Sequence, residues 1–402
     1  MHKQTAAAIL AALTLAIAGV VATATAAPAS SRGRPVPSTF VGVNVDGPML
    51  DPSHSRLNLA RQLDTMVASG VGSIRFPFNW AQAQPYQRPS DVPADQQGKF
   101  TDIDGVPTDF SQTDQIVGLA AQRGLAILPT VLYAPGWDAV NNPNGVDFPA
   151  QPGPYANYLT VLIGRYGPHG TFWSSHPKIP KMPIRMWQIW NEENLAYYWS
   201  QPFAASYEPL LQAAHAAIKR ADPGAKVVLG ALTNFAWQSI GQLFDVRGFR
   251  GSFDVASVNA FTKKPANVIV YLRLMRNALD RFHDGRAPLI ASELSWPSAL
   301  GQTPDHYDFD TTQAGQAHNI AALLPMLGAN RFRLHLMGFY YYTWISVETF
   351  GAQDFAFAGL EGQTSFGRVF SKPALAAFRR GALALEHCTR KANNAQRCAR
   401  AA

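Results

Sequence analysis

The feature that most constrains the fold is a repeated alternation of short apolar runs with amphipathic segments, which starts near Phe40 and continues through most of the chain. Short apolar runs are typical of buried strands, and apolar residues at helical spacing are typical of helices that cover a sheet. The alternation therefore predicts βα units around a parallel sheet. The predicted strands are residues 40–45, 73–77, 126–132, 186–190, 226–231, 255–260, 289–292 and 338–343.

Helical patterns lie between these strands, at residues 57–69, 113–122, 155–165, 206–220, 268–282 and 313–327. Gly70 and Gly124 follow two of them and are predicted to end those helices, because glycine readily adopts the left-handed backbone conformation. Eight strands joined by helices fit a single-domain (β/α)8 TIM barrel better than an open, doubly wound sheet. The first strand is not followed by Gly-x-Gly-x-x-Gly, so dinucleotide binding loses its main support.

The two ends of the chain differ in composition from the barrel. His2 and Lys3 precede an uncharged apolar run, and Ala24-Thr25-Ala26 has the small residues of a signal-peptide cleavage site. An uncleaved membrane anchor is the alternative, which the short, alanine-rich run disfavours. We therefore expect a secreted, extracellular protein that does not stay in the membrane. The predicted organisation is a signal peptide, a linker, a barrel and a basic tail, at residues 1–26, 27–38, 39–385 and 386–402.

Charge and cysteines single out the C-terminal tail. The formal net charge is +7, but six basic residues and one acidic residue lie between Arg379 and Ala402, so the rest of the mature chain is nearly neutral. A nucleic-acid surface needs a basic field spread over the fold, and we expect no such partner. Cys388 and Cys398 are the two cysteines. In an exported chain they predict a disulfide, whereas two cysteines without ligand-spaced histidines make a poor zinc site.

Two glutamates stand at the ends of the fourth and seventh predicted strands. Glu192 follows Trp190-Asn191, and Glu293 follows Ala291-Ser292. In such a barrel the side chains at the carboxyl ends of the strands surround the open face. The two glutamates lie 101 residues apart, which three βα units of about 34 residues would span. Two carboxyl groups across an aromatic cleft are what glycosidic bond hydrolysis requires, one as the acid and the other as the nucleophile or base.

The motif Trp187-Gln188-Ile189-Trp190-Asn191-Glu192 resembles the fourth-strand signature of clan A of the retaining glycoside hydrolases, nearest to family 39 and the cellulase-like families. The resemblance covers residues 40 to about 384. It implies a glycosidase that hydrolyses the β-linked O-glycosyl bonds of a glycan by double displacement, without a cofactor or metal, and we expect a monomer. Further matches follow in the family's order, at Tyr166-Gly167-Pro168, Phe172-Trp173, Tyr198-Trp199, residues 222–228, Glu293, Trp296-Pro297, Trp344 and Lys372-Pro373-Ala374.

The resemblance also implies roles for individual residues. Glu192 would be the general acid/base, Glu293 the nucleophile, and Asn191 the donor that holds the sugar 2-hydroxyl. Arg75, at the end of the second strand, matches an arginine that lies beside the family's nucleophile. A guanidinium there would keep Glu293 ionised. The alternative for Arg75 is an ion pair that only anchors loops.

Aromatic residues that follow the strands are candidates for stacking on sugar rings. The first choice is Trp344, followed by Trp296 and Trp137, and Tyr133 could face the sugar from the end of the third strand. The alternative for each is packing in the core or in a loop, because tryptophan is commonly buried wherever there is room.

Two departures from the family pattern leave other functions open. Glu193 stands where the family usually has proline, and we expect it to point into solvent because adjacent residues rarely share a pocket wall. Phe261 stands where the family has a tyrosine near the nucleophile, and it cannot supply a hydroxyl. A non-catalytic, carbohydrate-binding barrel is therefore one alternative. A metal-dependent barrel hydrolase is another, which the dispersed histidines disfavour.

Overall fold

The computed structural model describes residues 34–50, 57–304 and 307–399, and the chain from Pro35 onward forms one compact unit. In the described part of the chain, eight parallel strands close into a barrel in which each strand pairs with the barrel strands before and after it. The predicted TIM barrel is confirmed. The strands are β1 Val41–Asn44, β2 Ser73–Asn79, β3 Ala126–Leu132, β4 Met186–Ile189, β5 Lys226–Leu232, β6 Val255–Asn259, β7 Leu289–Leu294 and β8 Leu336–Tyr341.

A helix follows each barrel strand and covers the outside of the barrel. Six of these helices overlap the predicted ones, while α5 and α8 were not among the predictions. The helices are α1 Leu59–Ala68, α2 Ser111–Gln122, α3 Pro152–Tyr166, α4 Ala204–Ala221, α5 Ala236–Phe244, α6 Pro265–Arg281, α7 Gln313–Leu334 and α8 Pro373–Leu385.

Local signals in the sequence explain where several helices begin and end. The side chain of Asn58 accepts a hydrogen bond from the Arg61 backbone N–H and caps α1, and Thr312 caps α7 in the same way. Beyond α1 and α2, Gly70 and Gly124 have φ values of +85° and +69°. A left-handed residue of this kind ends a helix at low cost only when it lacks a Cβ atom.

Shorter elements decorate the loops. Single-turn helices lie at Gly47–Met49, Trp80–Ala83, Pro89–Asp91, Gln97–Lys99, Thr171–Ser175 and Asp354–Phe357. Antiparallel pairs join Thr101–Ile103 to Val106–Thr108 and Ala139–Val140 to Phe148–Pro149, and a three-stranded sheet joins Ile345–Val347, Glu361–Gln363 and Val369–Ser371. Most of these insertions follow the carboxyl ends of barrel strands, the end that we call the mouth.

The barrel interior changes from apolar to polar along its axis. Leu128, Val228 and Ile290 belong to an apolar cluster that is separate from the main core between strands and helices. Nearer the mouth, Arg75 and Gln188 are buried and hydrogen-bonded to one another. The apolar layer closes the barrel, and the polar layer forms the base of the mouth.

The C-terminal tail forms a hairpin of Lys391–Ala392 and Asn394–Cys398, and the predicted disulfide between Cys388 and Cys398 is confirmed. The Ala395 backbone N–H donates to the Arg123 carbonyl at 2.7 Å, and the Gln396 amide donates to the Gly124 carbonyl at 2.6 Å. Since Arg123 and Gly124 precede β3, the hairpin packs against the end of the barrel opposite the mouth, which we call the lower end.

The N-terminal regions lie largely outside the described residues, including the predicted signal peptide and residues 27–33 of the predicted linker. The described end of that linker packs against the barrel. Val36 is buried, and its backbone N–H donates to the Leu385 carbonyl at 3.0 Å. Arg331 also donates to the Pro35 carbonyl at 3.0 Å, so the predicted linker is part of the packed structure at this end. No helix in the described segments is both long and apolar enough to cross a membrane.

Candidate active site

Arg75 connects the polar side chains at the base of the mouth. Its Nε donates to Gln188 at 2.6 Å, and Nη1 donates to Asn44 at 2.7 Å and to Glu293 at 2.7 Å. Its Nη2 donates to Asn191 Oδ1 at 2.8 Å. The guanidinium is 6% exposed, so these contacts are made away from water. The structure thus brings together Arg75, Asn191 and Glu293 as the sequence predicts.

Glu293 is a buried carboxyl group that faces a cation. It lies near the end of β7 and is 8% exposed. Burial raises the pKa of Glu293, and the attraction of Arg75 opposes that rise. Because of its ion pair with Arg75, we expect Glu293 to lose its proton at a lower pH than a second carboxyl group nearby.

Glu192 is that second carboxyl group. It follows β4 in a left-handed backbone conformation, with a φ of +48°, and it is partly exposed. Enclosure of the carboxyl group, followed by the negative charge of Glu293, raises the pKa of Glu192 to about 8. Glu192 therefore holds its proton at neutral pH, as a general acid must.

Asn259 links the two glutamates, and the sequence reasoning did not single it out. Its Nδ2 donates to Glu192 Oε1 at 2.7 Å, and its amide also acts as a hydrogen-bond partner that lowers the pKa of Glu293. Ser292 donates to Asn259 Oδ1 at 2.8 Å and thereby fixes which way the amide points. A polar residue at the end of the sixth strand was the available signal, because strand ends line the mouth.

A cavity of about 160 Å³ opens beside Glu293. Among the predicted residues, Arg75, Asn191 and Tyr133 line it. Burial, followed by the charge of Asp46, raises the pKa of Tyr133 to about 12, so its hydroxyl stays protonated and can donate. The predicted placement of Tyr133 at the mouth agrees with the structure.

Asp46, Tyr198 and Tyr342 also line the cavity. Tyr198 was named from the sequence as part of a match to the family, but none of the three was proposed as a site residue. Asp46 follows β1, and the Thr343 hydroxyl shares its one proton between Asp46 Oδ1 at 3.0 Å and the Asn44 carbonyl at 2.9 Å. Tyr342 is a second hydrogen-bond partner of Asp46, and burial, followed by the charges of Asp46 and Glu293, raises the pKa of Tyr342. The rule that strand ends line the mouth would have found Asp46 and Tyr342, which directly follow the first and last strands.

Two tryptophans do not lie where the sequence reasoning expected. Trp344 is fully buried, and its Nε1 donates to Gln62 at 2.7 Å. Trp296 is 1% exposed, and its Nε1 donates to the Thr262 carbonyl at 2.7 Å. Neither ring has a face open for stacking, so the expectation is wrong in this conformation, because each indole is turned inward to a polar partner. At the end of β8 the mouth presents Tyr342 instead.

Trp137 faces a different cavity. Its Nε1 donates to the Gln84 carbonyl at 2.7 Å, and its ring packs edge-on against Trp80 at 5.5 Å. This second cavity, of about 380 Å³, is lined in part by Tyr158 and shares no lining residue with the cavity beside Glu293. Trp137 is therefore not part of the mouth site.

Glu193 does not point into solvent, and that prediction is wrong. Its side chain is fully buried beside Gly230 of β5, and neither carboxyl oxygen accepts a hydrogen bond from another described residue. Burial, with a smaller contribution from Glu192, raises the pKa of Glu193 to about 8. Adjacent residues point to opposite sides of the chain. Glu193 therefore points away from the mouth, as expected, but that direction leads into the layer between strands and helices and not into solvent.

Phe261 occupies an aromatic cluster at the edge of the mouth. Its ring lies 5.7 Å from Phe309, 5.0 Å from Phe355 and 6.3 Å from Tyr342, measured between ring centroids. Tyr342 enters the mouth from another strand, and its hydroxyl is hydrogen-bonded to Asp46.

A grouping of possible metal ligands was found in the described segments at Glu386, Cys388 and Cys398. The two sulfur atoms are joined in the disulfide and are not free to bind an ion. This grouping lies at the lower end of the barrel and gives the metal-dependent alternative no support.

Comparisons with known proteins were made for sequence and for structure. No protein-family model matches the chain, and no curated protein matches it in sequence. The GH39 enzyme from Xanthomonas axonopodis pv. citri has a TM-score of 0.60 and 16% identity, over 87% of this chain and 67% of that chain. A GH39 β-xylosidase from Caulobacter crescentus has a TM-score of 0.60 and 18% identity, over 87% and 72%.

A third similar structure is the GH53 catalytic domain from Ignisphaera aggregans. It has a TM-score of 0.54 and 20% identity, over 86% of this chain and 96% of that domain. At these identities the likeness concerns the fold. The chain therefore has a (β/α)8 barrel similar to those of the family 39 and family 53 glycoside hydrolases.

Proposed function

We propose that the protein is a secreted glycoside hydrolase that cleaves β-glycosidic bonds of a glycan with retention of the anomeric configuration. The observation that carries the proposal is the pairing of two unlike carboxyl groups. Glu293 faces the Arg75 guanidinium at 2.7 Å, whereas Glu192 has a pKa raised to about 8. Two titratable groups whose surroundings push their proton affinities apart are suited to act as the base and the acid of one reaction. The fold similarity to glycosidases supports this interpretation.

In the first step, a carboxylate oxygen of Glu293 attacks the anomeric carbon, and the bond from that carbon to the leaving oxygen breaks. The proton of Glu192 moves to the leaving oxygen, which departs as an alcohol. The glycosyl group is then held on Glu293 as an ester, and Glu192 is an anion.

In the second step, Glu192 takes a proton from a water molecule, and the water oxygen attacks the anomeric carbon. The ester bond breaks, and Glu293 returns to its ion pair with Arg75. Two inversions at one carbon restore the original configuration. A retaining enzyme needs a carboxyl separation of about 5 Å, because the nucleophile must touch the carbon directly.

Asn191 is proposed to position the sugar. Its Oδ1 accepts from Arg75, so its Nδ2 is the end of the amide that remains to donate. The proposed acceptor is the sugar 2-hydroxyl next to the bond that breaks, where a hydrogen bond that strengthens in the transition state accelerates the reaction.

The proposal is tested with a panel of aryl β-glycosides and β-glucans or β-xylans. Glu293→Gln should lose turnover on every substrate, because the ester cannot form. Glu192→Ala should keep turnover on aryl glycosides with good leaving groups when azide is added, and the product should be a β-glycosyl azide.

Some outcomes would overturn this assignment. If both variants match the wild type, the glycosidase proposal fails. If glycans bind but no bond is cleaved, the protein is the non-catalytic carbohydrate-binding barrel instead. Export is tested separately, by intact mass of the protein from the culture medium: a start near Ala27 is expected, and a retained leader would contradict it.

A further inference from the structure

The cavity beside Glu293 carries an excess of acidic groups. Asp46 and Glu293 line it directly, and Glu192 is linked to the same site through Asn259. Among the lining residues that the structure describes, Arg75 is the one basic side chain. A volume of about 160 Å³ is that of about five liquid waters, so a sugar ring bound there would lie close to both lining carboxyl groups.

Arg75 has little capacity left for a substrate. Four of the five N–H groups of a guanidinium are engaged here, by Gln188, Asn44, Glu293 and Asn191. A carboxylate on the sugar would therefore find no free bidentate partner, and it would face Asp46 and Glu293. Repulsion between like charges at such short range gives strong discrimination between ligands.

Asp46 would repel a carboxylate on the sugar, but it can accept a hydrogen bond from a hydroxyl group. Its carboxyl is contacted by the hydroxyls of Tyr342 and Thr343, although Thr343 shares its proton with the Asn44 carbonyl. Burial raises the pKa of Asp46, and these two hydroxyls and the charge of Arg75 oppose that rise and favour the carboxylate. A carboxylate has about four lone-pair sites, so two remain for a ligand. A carboxylate in this position can accept hydrogen bonds from neighbouring hydroxyls of a sugar ring.

We propose that this cavity selects uncharged sugars, and that Asp46 is the specificity-determining residue: it accepts hydrogen bonds from sugar hydroxyls and excludes glycosides of uronic acids. The inference rests on the proposed glycosidase function and adds the substrate class. Neither the roles of Glu192 and Glu293 nor the likeness in fold requires it, since both are compatible with charged sugars.

The test uses pairs of p-nitrophenyl β-glycosides that differ only in the group on C5, hydroxymethyl or carboxylate: glucoside with glucuronide, and galactoside with galacturonide. The wild type should prefer the neutral member of a pair by on the order of 10²-fold in kcat/KM. Asp46→Asn should lower kcat/KM for the neutral sugar by roughly tenfold or more and reduce that preference by at least about tenfold. Asp95→Asn, which removes an exposed carboxylate from an outer loop, should change neither value.

Two results would overturn the inference: a uronide hydrolysed as well as its neutral partner, or a preference that Asp46→Asn leaves intact. Failure of the proposed function is distinguished by a second measurement, in which binding of free glucose, galactose and the matching uronates is measured by calorimetry on the wild type. Neutral sugars should bind more tightly than the uronates whether or not any glycoside is cleaved. Equal or tighter binding of uronates, or no binding of any neutral sugar, would contradict the inference.

Discussion

The two ends of the barrel are built on different principles. At the lower end, the C-terminal hairpin satisfies the carbonyls of Arg123 and Gly124 and is closed by a disulfide. At the mouth, Tyr133, Trp190 and Glu192 are left-handed although none is glycine, with φ values of +67°, +69° and +48°. Such residues cost on the order of 1 kcal/mol or more each. The lower end also has such residues, at His283, His335 and His387, so backbone strain alone does not distinguish the two ends.

The surroundings of the buried carboxyl groups do differ between the two ends. Glu192 and Glu193 are enclosed carboxyl groups whose pKa values are raised to about 8, and both follow β4. At the lower end, burial also raises the pKa of Glu386, but an ion pair with the buried Lys391 opposes that rise. The enclosed carboxyl group at the lower end thus faces a cation, whereas Glu192 at the mouth lies near a second carboxyl group, that of Glu293. Substitutions at each end test this difference.

The largest effect is expected from Glu192→Gln. The variant should lose on the order of 10²–10⁴-fold in kcat on glycosides with poor leaving groups, because the proton donor is gone. Wild-type activity should fall as the pH rises through about 8, since Glu192 then loses its proton, and this alkaline limb should vanish in the variant. The measurement is a profile of kcat/KM against pH.

Glu193→Gln is the matched control for that profile, because Glu193 also has a pKa raised to about 8. It should keep the alkaline limb. A limb that survives in Glu192→Gln and disappears in Glu193→Gln would move the acid role to the neighbouring residue.

The second effect concerns stability, and it is expected from Glu193→Gln. The folded protein holds this proton up to about pH 8, while a carboxyl with the ordinary pKa of 4.5 in the unfolded chain has already lost it. Wild-type stability should therefore fall between these pH values, by up to about 1.4 kcal/mol per pH unit, and the variant should lack this loss. Urea unfolding at pH 5 to 8 measures it, with Asp95→Asn as the control. Parallel pH dependences in variant and wild type would refute the prediction.

The smallest effect is expected at the lower end, from the double variant Cys388→Ser and Cys398→Ser. Loss of a cross-link over this short loop should lower the free energy of unfolding by about 2–3 kcal/mol. The kinetic constants on aryl glycosides should not change, because the hairpin lies opposite the mouth. Denaturant unfolding and initial rates on the same preparation test both statements. A loss of turnover at unchanged stability would show that the two ends are coupled.

Much of the fold could be predicted from the sequence, because strands buried on both faces appear as short apolar runs. Every predicted strand overlaps a barrel strand, from Val41–Asn44 to Leu336–Tyr341. The positions of Glu192 and Glu293 at strand ends followed from the same alternation. The resemblance to the family placed Arg75 beside Glu293, whereas the contact of Asn259 with Glu192 depends on register and closure, which the three-dimensional structure specifies.

The aromatic residues show where sequence reasoning stopped. Trp296 and Trp344 follow strands, but the path of each loop turns the indole toward Thr262 or Gln62, and no local pattern encodes that path. The docking of the C-terminal hairpin likewise joins Gln396 to Gly124, residues far apart in the chain. Asp46 and Asn259, by contrast, could have been found by applying the strand-end rule to every strand.

The guanidinium of Arg75 also has an evolutionary consequence. Because it joins Asn44, Gln188, Asn191 and Glu293, these positions should vary together and not independently. Substitutions within one hydrogen-bond network are non-additive, so a change tolerated in one background can be lethal in another. A mutant library that alters these positions singly would report all of them as immutable, and routes to new specificity would open only when several change at once.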